Sequence, residues 1–381
     1  MNKWAKYFWY LFLIDSITPL FTLLSYFIPG IREYSKIPVI LLFMFFVFFH
    51  LFNKLILTRI TKLLFISFII AFTLSLVWNN KSMDIKIISQ IYGILMPIFS
   101  VSFGIHYAKN NGIKIYPFIN NIFKVYILVN IVLLLTYFYF HYVVNSITYF
   151  GFQVNWQIIS AYLISQKKIL LFFLGIIFVI LSGKRATLIT SLIPFLSYYK
   201  YIMKLDFKKK FILSVMILLI TYNITNYLID EGFFRRYEAL LNFDITDSRV
   251  TFLATSGRWQ EIESVFMHMN NRPISWLIGN GFGDKYLSVI NVSGFEYQQE
   301  LKHYVHFTPA SYIFVHGIPI TILIFALILR LIVLGWKKCH LNFFYLCFLV
   351  SIIGSFFGAN LAVDPKIWFF YGVTFYIVNK K

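Results

Sequence analysis

Charged side chains are scarce in this chain of 381 residues, where Asp, Glu, Lys and Arg together account for 13%. A typical soluble domain carries roughly 25% charged residues. Hydrophobic residues reach 59%, and the chain contains 45 Phe and 26 Tyr. The scarcity of charge excludes an ordinary soluble domain. It predicts an integral membrane protein whose aromatic rings face lipid or lie at the membrane interfaces.

Cysteine is nearly absent as well, since only Cys339 and Cys347 occur. These two residues form neither a disulfide framework nor a metal-ligand pattern. The chain also lacks an HExxH motif and any clustered set of carboxylate ligands, so we expect no metal site. The run Gly279–Gly283 follows no predicted strand and does not indicate a dinucleotide site. We therefore expect no cofactor.

Acidic residues number 15 against 34 Lys and Arg, which gives a formal net charge of +19. Most of the excess lies in short lysine-rich joints between apolar runs, such as Lys208–Lys210 and Lys337–Lys338. Such joints are typical of the cytoplasmic side of a membrane protein rather than of a phosphate-binding surface. We therefore predict no nucleic-acid partner.

Apolar runs recur along the chain. A helix needs about 20 mostly apolar residues to cross a bilayer, so we predict an all-α, polytopic membrane protein with about 12 transmembrane helices. The predicted spans lie near residues 7–28, 37–53, 62–79, 86–107, 116–140, 148–165, 168–182, 185–203, 211–230, 308–335, 341–358 and 365–379. The lysine-rich joints fall on one face only if both termini are cytoplasmic.

The longest polar interruption runs from Glu231 to His306. It holds nine of the 15 acidic residues and five of the nine arginines. The positions of the lysine-rich joints place this loop on the extracytoplasmic face. We therefore divide the chain into an N-terminal transmembrane bundle (1–230), an extracytoplasmic loop (231–306) and C-terminal transmembrane helices (307–381). We expect the loop to carry the functional surface.

Within the loop, the residues around Arg258 predict a helix. The Ser256 hydroxyl is placed to cap it by accepting a bond from a free backbone N–H. Apolar side chains then recur at three- and four-residue spacing, at Trp259, Ile262, Phe266 and Met269. Such a stripe is typical of a helix that rests on a membrane surface. Pro273 is expected to end it.

Lys184 and Arg185 form one candidate anion site. They follow Ser182 and Gly183 at the expected outer start of a helix, where free N–H groups and the positive end of the dipole favour an anion. The alternative is that both side chains merely reach to lipid headgroups. Positive charge on the outer face runs against the usual topology rule, which makes this position a candidate.

Arg258 is the second candidate. A guanidinium at headgroup depth can hold a phosphate through two parallel hydrogen bonds. The alternative is an ordinary solvated or lipid-facing arginine. Arg249 and Arg272 are further candidates of the same kind, and the sequence alone ranks them below Arg185 and Arg258.

Histidine near a water–membrane boundary suits proton transfer, because its pKa lies close to neutral. His303 and His306 both precede the predicted span that begins near residue 308. The alternative for each is a structural histidine at the interface. Asp15 and His316 fall within predicted spans, where an ionisable side chain marks either a functional site or a pairing within the bundle.

Four motifs, taken together and in this order, resemble those of the O-antigen polymerase and O-antigen ligase family of membrane glycosyltransferases. They are the turn Ser182-Gly183-Lys184-Arg185; the segment Ser256-Gly257-Arg258-Trp259 with Pro273 and Gly279–Gly283; His306 with Gly317 eleven residues later; and the closing segment Pro365–Phe370. The resemblance is clearest over about residues 170–370. The family often has asparagine directly after the histidine, where this chain has Phe307.

The resemblance implies a GT-C-like, multi-pass enzyme of the bacterial cytoplasmic membrane. Its donor would be an undecaprenyl-diphosphate-linked oligosaccharide, whose anomeric carbon is attacked by a hydroxyl of an acceptor sugar at the outer face. The resemblance further implies that His306 takes the acceptor proton, while Arg185, Arg258 and Lys184 bind the diphosphate without a metal. Membrane lipid and a protein that regulates chain length are the other expected partners.

We therefore expect a polymerase that joins repeat units into a capsule, O-antigen or exopolysaccharide chain. One alternative is a ligase of the same family, which transfers the finished glycan to another acceptor. An alternative from another class is a lipid-linked sugar flippase or transporter, which would place its charges in a central cavity. For either enzyme, we expect Arg185, Arg258 and His306 to meet at the outer membrane boundary.

Overall fold

The fold is known from a computed structural model, in which most of the chain forms helices. The structure describes residues 1–15, 37–78, 85–112, 115–139, 156–181, 185–202, 246–255, 257–290, 298–302, 305–358 and 364–380, with isolated positions between them. Within these ranges the protein is mostly helical. The coarser part of the fold prediction is thereby confirmed.

The described part of the chain contains fourteen helices and one two-stranded sheet. The helices before the loop are α1 (Lys3–Asp15), α2 (Ile37–Phe52), α3 (Arg59–Trp78), α4 (Ile85–Asn111), α5 (Pro117–Phe138), α6 (Trp156–Ser165), α7 (Ile169–Leu181) and α8 (Arg185–Ile202). The later elements are α9 (Ser248–Thr255), α10 (Arg258–Asn270), α11 (Ser275–Ile278), β1 (Tyr286–Ile290), β2 (Gln298–Lys302), α12 (Thr308–Cys339), α13 (Phe343–Gly358) and α14 (Pro365–Asn379).

Two of the described helices, α3 and α12, are long and apolar enough to cross a membrane. Shorter apolar stretches of 10–17 residues lie in α2, α5, α8 and α13. The total of about 12 spans stays a prediction, and nearly all of the expected span 211–230 lies outside the described residues. The structure therefore supports a membrane protein.

The core of the bundle is aromatic and is organised around the crossing of α4 and α14. A Cβ atom on Gly104 would lie 3.0 Å from Val373 N, so glycine allows the two backbones to approach. Small residues serve this purpose at helix crossings in membranes generally. Phe369 then extends from α14 to Phe8 of α1, with ring centroids 4.1 Å apart. The first and last helices of the chain are thus packed together.

Asp15 is paired within this bundle. Its carboxylate forms an ion pair with the Lys366 ammonium at the start of α14, and Asp364 Oδ2 lies 3.8 Å from the same ammonium. Asp15 and Lys366 are both buried. A buried charge is stable in a membrane bundle only when it is paired. The structure therefore favours pairing as the interpretation of Asp15.

A β-hairpin in the loop departs from the all-α prediction. β1 and β2 are antiparallel, with Tyr286 opposite Lys302 and Ile290 opposite Gln298. β1 packs against α10, and Val289 N donates a hydrogen bond of 3.2 Å to an α10 hydroxyl. The hairpin covers one face of that helix. Residues 231–243 lie outside the described residues, so the start of the loop stays a prediction.

Gly317 breaks α12 with backbone angles φ 78° and ψ 169°. The glycine run Gly279–Gly283 docks beside this break, where Asn280 N donates 2.8 Å to Phe314 O. A Cβ atom on Gly279 would lie 2.6 Å from His316 N, and its φ of 80° also favours glycine. The glycines therefore allow the loop to contact the backbone of the broken helix directly.

Candidate functional site

Helix α10 begins at Arg258, as the sequence predicts. The N-cap, however, is Gly257 in a left-handed conformation with φ 78°, and its position supplies no side-chain hydrogen bond. Thr255 Oγ1 instead accepts a bond of 3.3 Å from Trp259 N. Ser256, the expected cap, lies outside the described residues. Glycine is favoured here because a φ of 78° lies in the left-handed region, which other residues rarely adopt.

The buried face of α10 differs from the predicted apolar stripe. Met269 is buried, but Phe266 is exposed and Trp259 and Ile262 are half-buried. Of the predicted stripe, Met269 therefore packs inside the protein, and contact of the other side chains with a membrane surface stays a prediction. The buried face also carries three polar residues, Gln260, Glu261 and Ser264. Burying such groups is favourable only with partners, and for Glu261 and Ser264 these come from the hairpin and the turn before α12.

Glu261 forms a hydrogen-bonded cluster with Lys302 and His306. Its Oε2 atom lies 2.8 Å from His306 Nδ1 and accepts the His306 backbone N–H at 3.2 Å. Its Oε1 atom accepts a bond of 2.8 Å from Lys302 Nζ. The Glu261 side chain is 6% exposed and the His306 side chain 37%. The carboxylate is thus enclosed, while the imidazole opens outward.

Electrostatics keep Glu261 of this cluster ionised. Burial by itself raises the pKa of Glu261, but the hydrogen bonds and charges of His306 and Lys302 outweigh it and lower that pKa to about 2. An ionised carboxylate can only accept hydrogen bonds. His306 Nδ1 must therefore carry hydrogen, so in the neutral form of the imidazole the lone pair is on Nε2. This arrangement suits a general base.

Arg258 lies one helical turn before Glu261, so this candidate cation and the cluster share one end of α10. Residues three apart on a helix have Cβ atoms about 5–6 Å from each other. The Arg258 side chain is half-buried. The positive end of the helix dipole lies at the same end of α10. The structure therefore places Arg258 one helical turn from the glutamate of the histidine cluster.

Arg185 is the first residue of α8, which confirms that a helix starts there. Its side chain and the whole of Lys184 lie outside the described residues. Five residues on, Thr190 packs against Gly354 of α13, where a Cβ atom would lie 3.5 Å from its Cγ2. The neighbouring Ser355 O accepts a bond of 2.6 Å from Thr308 Oγ1, two residues after His306. These contacts place the starts of α8 and α12 at the same end of the bundle.

The three secondary candidates lie apart from this cluster or outside the described residues. His303 is among the latter, and Arg249 is exposed on α9. Arg272 Nη1 lies 4.0 Å from Asp284 Oδ2, which is also 3.0 Å from His268 Nε2. A second histidine–carboxylate pair therefore lies near the far end of α10, and Arg272 belongs to it.

Sequence reasoning missed Glu261 and Lys302, which it counted only as loop charges. They are 45 and 4 residues from His306 in the chain, so no local pattern joins the three. The only signal was the position of Glu261, three residues after Arg258 on a predicted helix.

In the described part of the chain, no group of three or more His, Cys, Asp or Glu could hold a metal ion.

His316, the histidine within a predicted span, is buried immediately before the break at Gly317. Its ring centroid lies 5.6 Å from that of Tyr312 and 6.3 Å from that of Phe282. It is thus enclosed by aromatic rings where the glycine run meets α12. The position is separate from the exposed imidazole of His306.

Comparison with known proteins does not assign a family to this chain. No family model, curated protein or solved structure matches it. Function is therefore inferred from the geometry of the site and from the resemblance of the four motifs.

Proposed function

We propose that this protein is a membrane glycosyltransferase of the bacterial cytoplasmic membrane. It acts at the outer face as a polymerase, joining undecaprenyl-diphosphate-linked oligosaccharide units for capsule, O-antigen or exopolysaccharide synthesis. The observation that carries the proposal is the pairing of His306 Nδ1 with the buried Glu261 carboxylate at 2.8 Å. That pairing places the lone pair of the neutral ring on Nε2, in a side chain that is 37% exposed and on the residue that the family resemblance marks as catalytic.

The reaction consists of one substitution at the anomeric carbon of the donor glycan. The hydroxyl oxygen of the acceptor sugar forms the new glycosidic bond as its proton passes to His306 Nε2. The bond between the anomeric carbon and the diphosphate oxygen breaks, and undecaprenyl diphosphate leaves with the electron pair. Glu261 stabilises the imidazolium that forms, just as a buried carboxylate does for the histidine of a Ser-His-Asp triad.

The leaving diphosphate gains negative charge as its bond to the sugar breaks. Arg258 is assigned to bind it, because a guanidinium matches phosphate oxygens with two parallel hydrogen bonds. Arg185 and Lys184 are assigned the same role at the start of α8. Charge stabilisation of this kind is worth several kcal/mol in comparable anion sites, at about 2.7–4 kcal/mol for one donor. The cations neutralise the diphosphate without a metal.

The position of the cluster favours an enzyme over a flippase. A transporter would place its ionisable groups in a central cavity between repeated halves. Here the carboxylate-bound histidine projects from the turn that joins the loop to α12 and is 37% exposed. A ligase of the same family would use the same base and the same cations. Polymerase and ligase therefore differ in the acceptor and are separated by their products.

Replacing His306 tests the proposal in cells. We expect His306→Ala to lower polymer synthesis by roughly 10²–10⁴-fold, the usual contribution of a general base. His268→Ala is the matched control, because it removes a histidine from the other carboxylate pair on α10. The measurement is the glycan profile of a deletion strain complemented with each variant, with membrane protein levels determined by immunoblot.

Each glycan profile has one interpretation. Single repeat units on lipid in the His306→Ala strain, with normal polymer in the His268→Ala strain, support the polymerase. Full-length but unattached chains in the His306→Ala strain would indicate a ligase instead. Normal polymer from a stably expressed His306→Ala protein would refute the assignment of His306 as the base.

A further inference from the structure

An exposed apolar surface lies within the loop, where α10 meets α11. We define this surface, the α10–α11 corner, by Phe266, Met267, Ile274 and Leu277. Their exposed fractions are 36%, 68%, 49% and 59%. The Phe266 ring contacts that of Trp276, with centroids 5.1 Å apart, so the two helices contribute to one surface. Four adjacent apolar side chains facing outward require a partner that is itself apolar.

The break in α12 gives the depth of this corner. The continuous segment that follows Gly317 is about 33 Å long at 1.5 Å per residue, and a hydrocarbon core is about 30 Å thick. Lys337 and Lys338 lie in its last turn, which places that end in the cytoplasm by the usual charge rule. Gly317 therefore lies at the outer boundary. A Cβ atom on Gly317 would lie 2.6 Å from the carbonyl carbon of Leu277, so Leu277 lies at that boundary too.

A second helix gives the same depth independently. Phe282 N, in the glycine run after α11, donates a hydrogen bond of 2.6 Å to Ser75 Oγ. Ser75 lies in the last turn of α3, and the adjacent Leu76 and Val77 are 59% and 66% exposed. These side chains lie on a helix that is long and apolar enough to span a membrane. The apolar corner is therefore at the height of a lipid-facing surface.

We propose that the α10–α11 corner inserts into the outer leaflet of the membrane, with lipid acyl chains as the occupant of its apolar surface. Helix α10 is exposed and polar at Glu263, in its middle, but exposed and apolar at Phe266 and Met267, about one turn later. Such a change along one helix is typical of an element that dips into an interface. The insertion fixes the height of Glu261, and hence of His306, above the bilayer. The surface itself does not depend on the proposed glycosyl transfer.

Spin labels measure this insertion directly. Single cysteines at Leu277→Cys and Ile274→Cys are labelled with a nitroxide in full-length protein carrying Cys339→Ser and Cys347→Ala. The control is Ser248→Cys, at the exposed polar start of α9. Each protein is reconstituted into vesicles of phosphatidylethanolamine and phosphatidylglycerol. Collision with oxygen, which enters hydrocarbon, is compared with collision with a water-soluble nickel chelate.

We expect the labels at 274 and 277 to collide with oxygen and be shielded from nickel, and the label at 248 to show the reverse. Nickel collision at 274 and 277 equal to that at 248 would overturn the proposal, because the corner would then be in water. Labels at both sites shielded from both reagents would also overturn it, since a protein surface would cover the corner. Either failure would leave the His306 assignment intact, because no step of this measurement involves glycosyl transfer.

Discussion

Glutamine in place of Glu261 keeps the size of the side chain but removes its charge and one of its two acceptor oxygens. Lys302 can only donate, so it competes with His306 for the single amide oxygen that remains. When Lys302 holds that oxygen, the amide N–H₂ faces His306 Nδ1 and donates to it. The proton of the neutral imidazole is then on Nε2, which can no longer accept the proton of the sugar hydroxyl.

The geometry sets the size of the expected effect. Both ion-pair contacts of Glu261 are 2.8 Å long, the length of a charge-assisted hydrogen bond. In a Ser-His-Asp triad, the corresponding change from aspartate to asparagine lowers kcat by about 10⁴ through the same change of tautomer. A general base contributes about 10²–10⁴-fold. We therefore expect Glu261→Gln to lower turnover by roughly 10²–10⁴-fold while the protein remains folded in the membrane.

The assay is extension of a defined undecaprenyl-diphosphate repeat unit by the purified variants. Glu263→Gln is the matched control, since Glu263 is exposed on the same helix and accepts only from Trp259 Nε1 at 2.7 Å in its own segment. Adding Lys302→Met to Glu261→Gln should recover part of the lost rate, because the amide oxygen can then accept from His306 Nδ1. Wild-type turnover by Glu261→Gln would refute the assigned tautomer, as would an equal loss in Glu263→Gln.

Three further predictions concern the cation, the glycines and acid stability. Arg258→Ala should lower turnover of the diphosphate donor, and Arg258→Lys should restore only part of it, because lysine lacks the two-point geometry. Equal kcat/KM for the wild type and both variants would contradict this. Gly279→Ala and Gly317→Ala should each lower the Tm in detergent more than Gly112→Ala, which shares the positive φ but has nothing within 4 Å of an added Cβ; equal shifts would exclude the close approach as the cause. The lowered pKa of Glu261, from 4.5 to about 2, contributes stability above about pH 4.5 that is lost as the pH falls toward 2, roughly 3 kcal/mol in all. Glu261→Gln should remove most of this pH dependence, so that the free energy of unfolding measured for the variant changes little across that range.

The helical, apolar character of the chain could be predicted because it follows from the composition and from the length of the apolar runs. The starts of α8 at Arg185 and of α10 at Arg258 were also predictable, since a glycine or small-residue turn precedes each one. The requirement for glycine at position 317 is apparent only in the folded structure, where Leu277 of α11 leaves no room for a side chain. Local signals predicted local features, and contacts between distant segments were not predictable.

The residues of the candidate site divide in the same way, into those with a local sequence pattern and those brought together by distant segments. His306 and Arg258 could be chosen as candidates from the sequence because each matches a motif at a recognisable position. Glu261 and Lys302 could not, because a carboxylate and an ammonium in a charged loop have no periodic pattern. Their partnership arises when a β-hairpin, itself absent from the all-α prediction, folds onto the polar face of α10. The polar buried face of α10 was not predictable for the same reason, since Ser264 is buried against a partner on the hairpin.

The central claim is that this chain alone joins lipid-linked glycan units, with His306 as the base. The most direct test reconstitutes the purified protein into vesicles with one defined undecaprenyl-diphosphate repeat unit, without nucleotide sugar or other proteins. We predict a ladder of products that differ by one repeat unit, release of undecaprenyl diphosphate, and loss of both in the His306→Ala protein. A donor that remains a single unit with folded wild-type protein, or an undiminished ladder from His306→Ala, would contradict the claim.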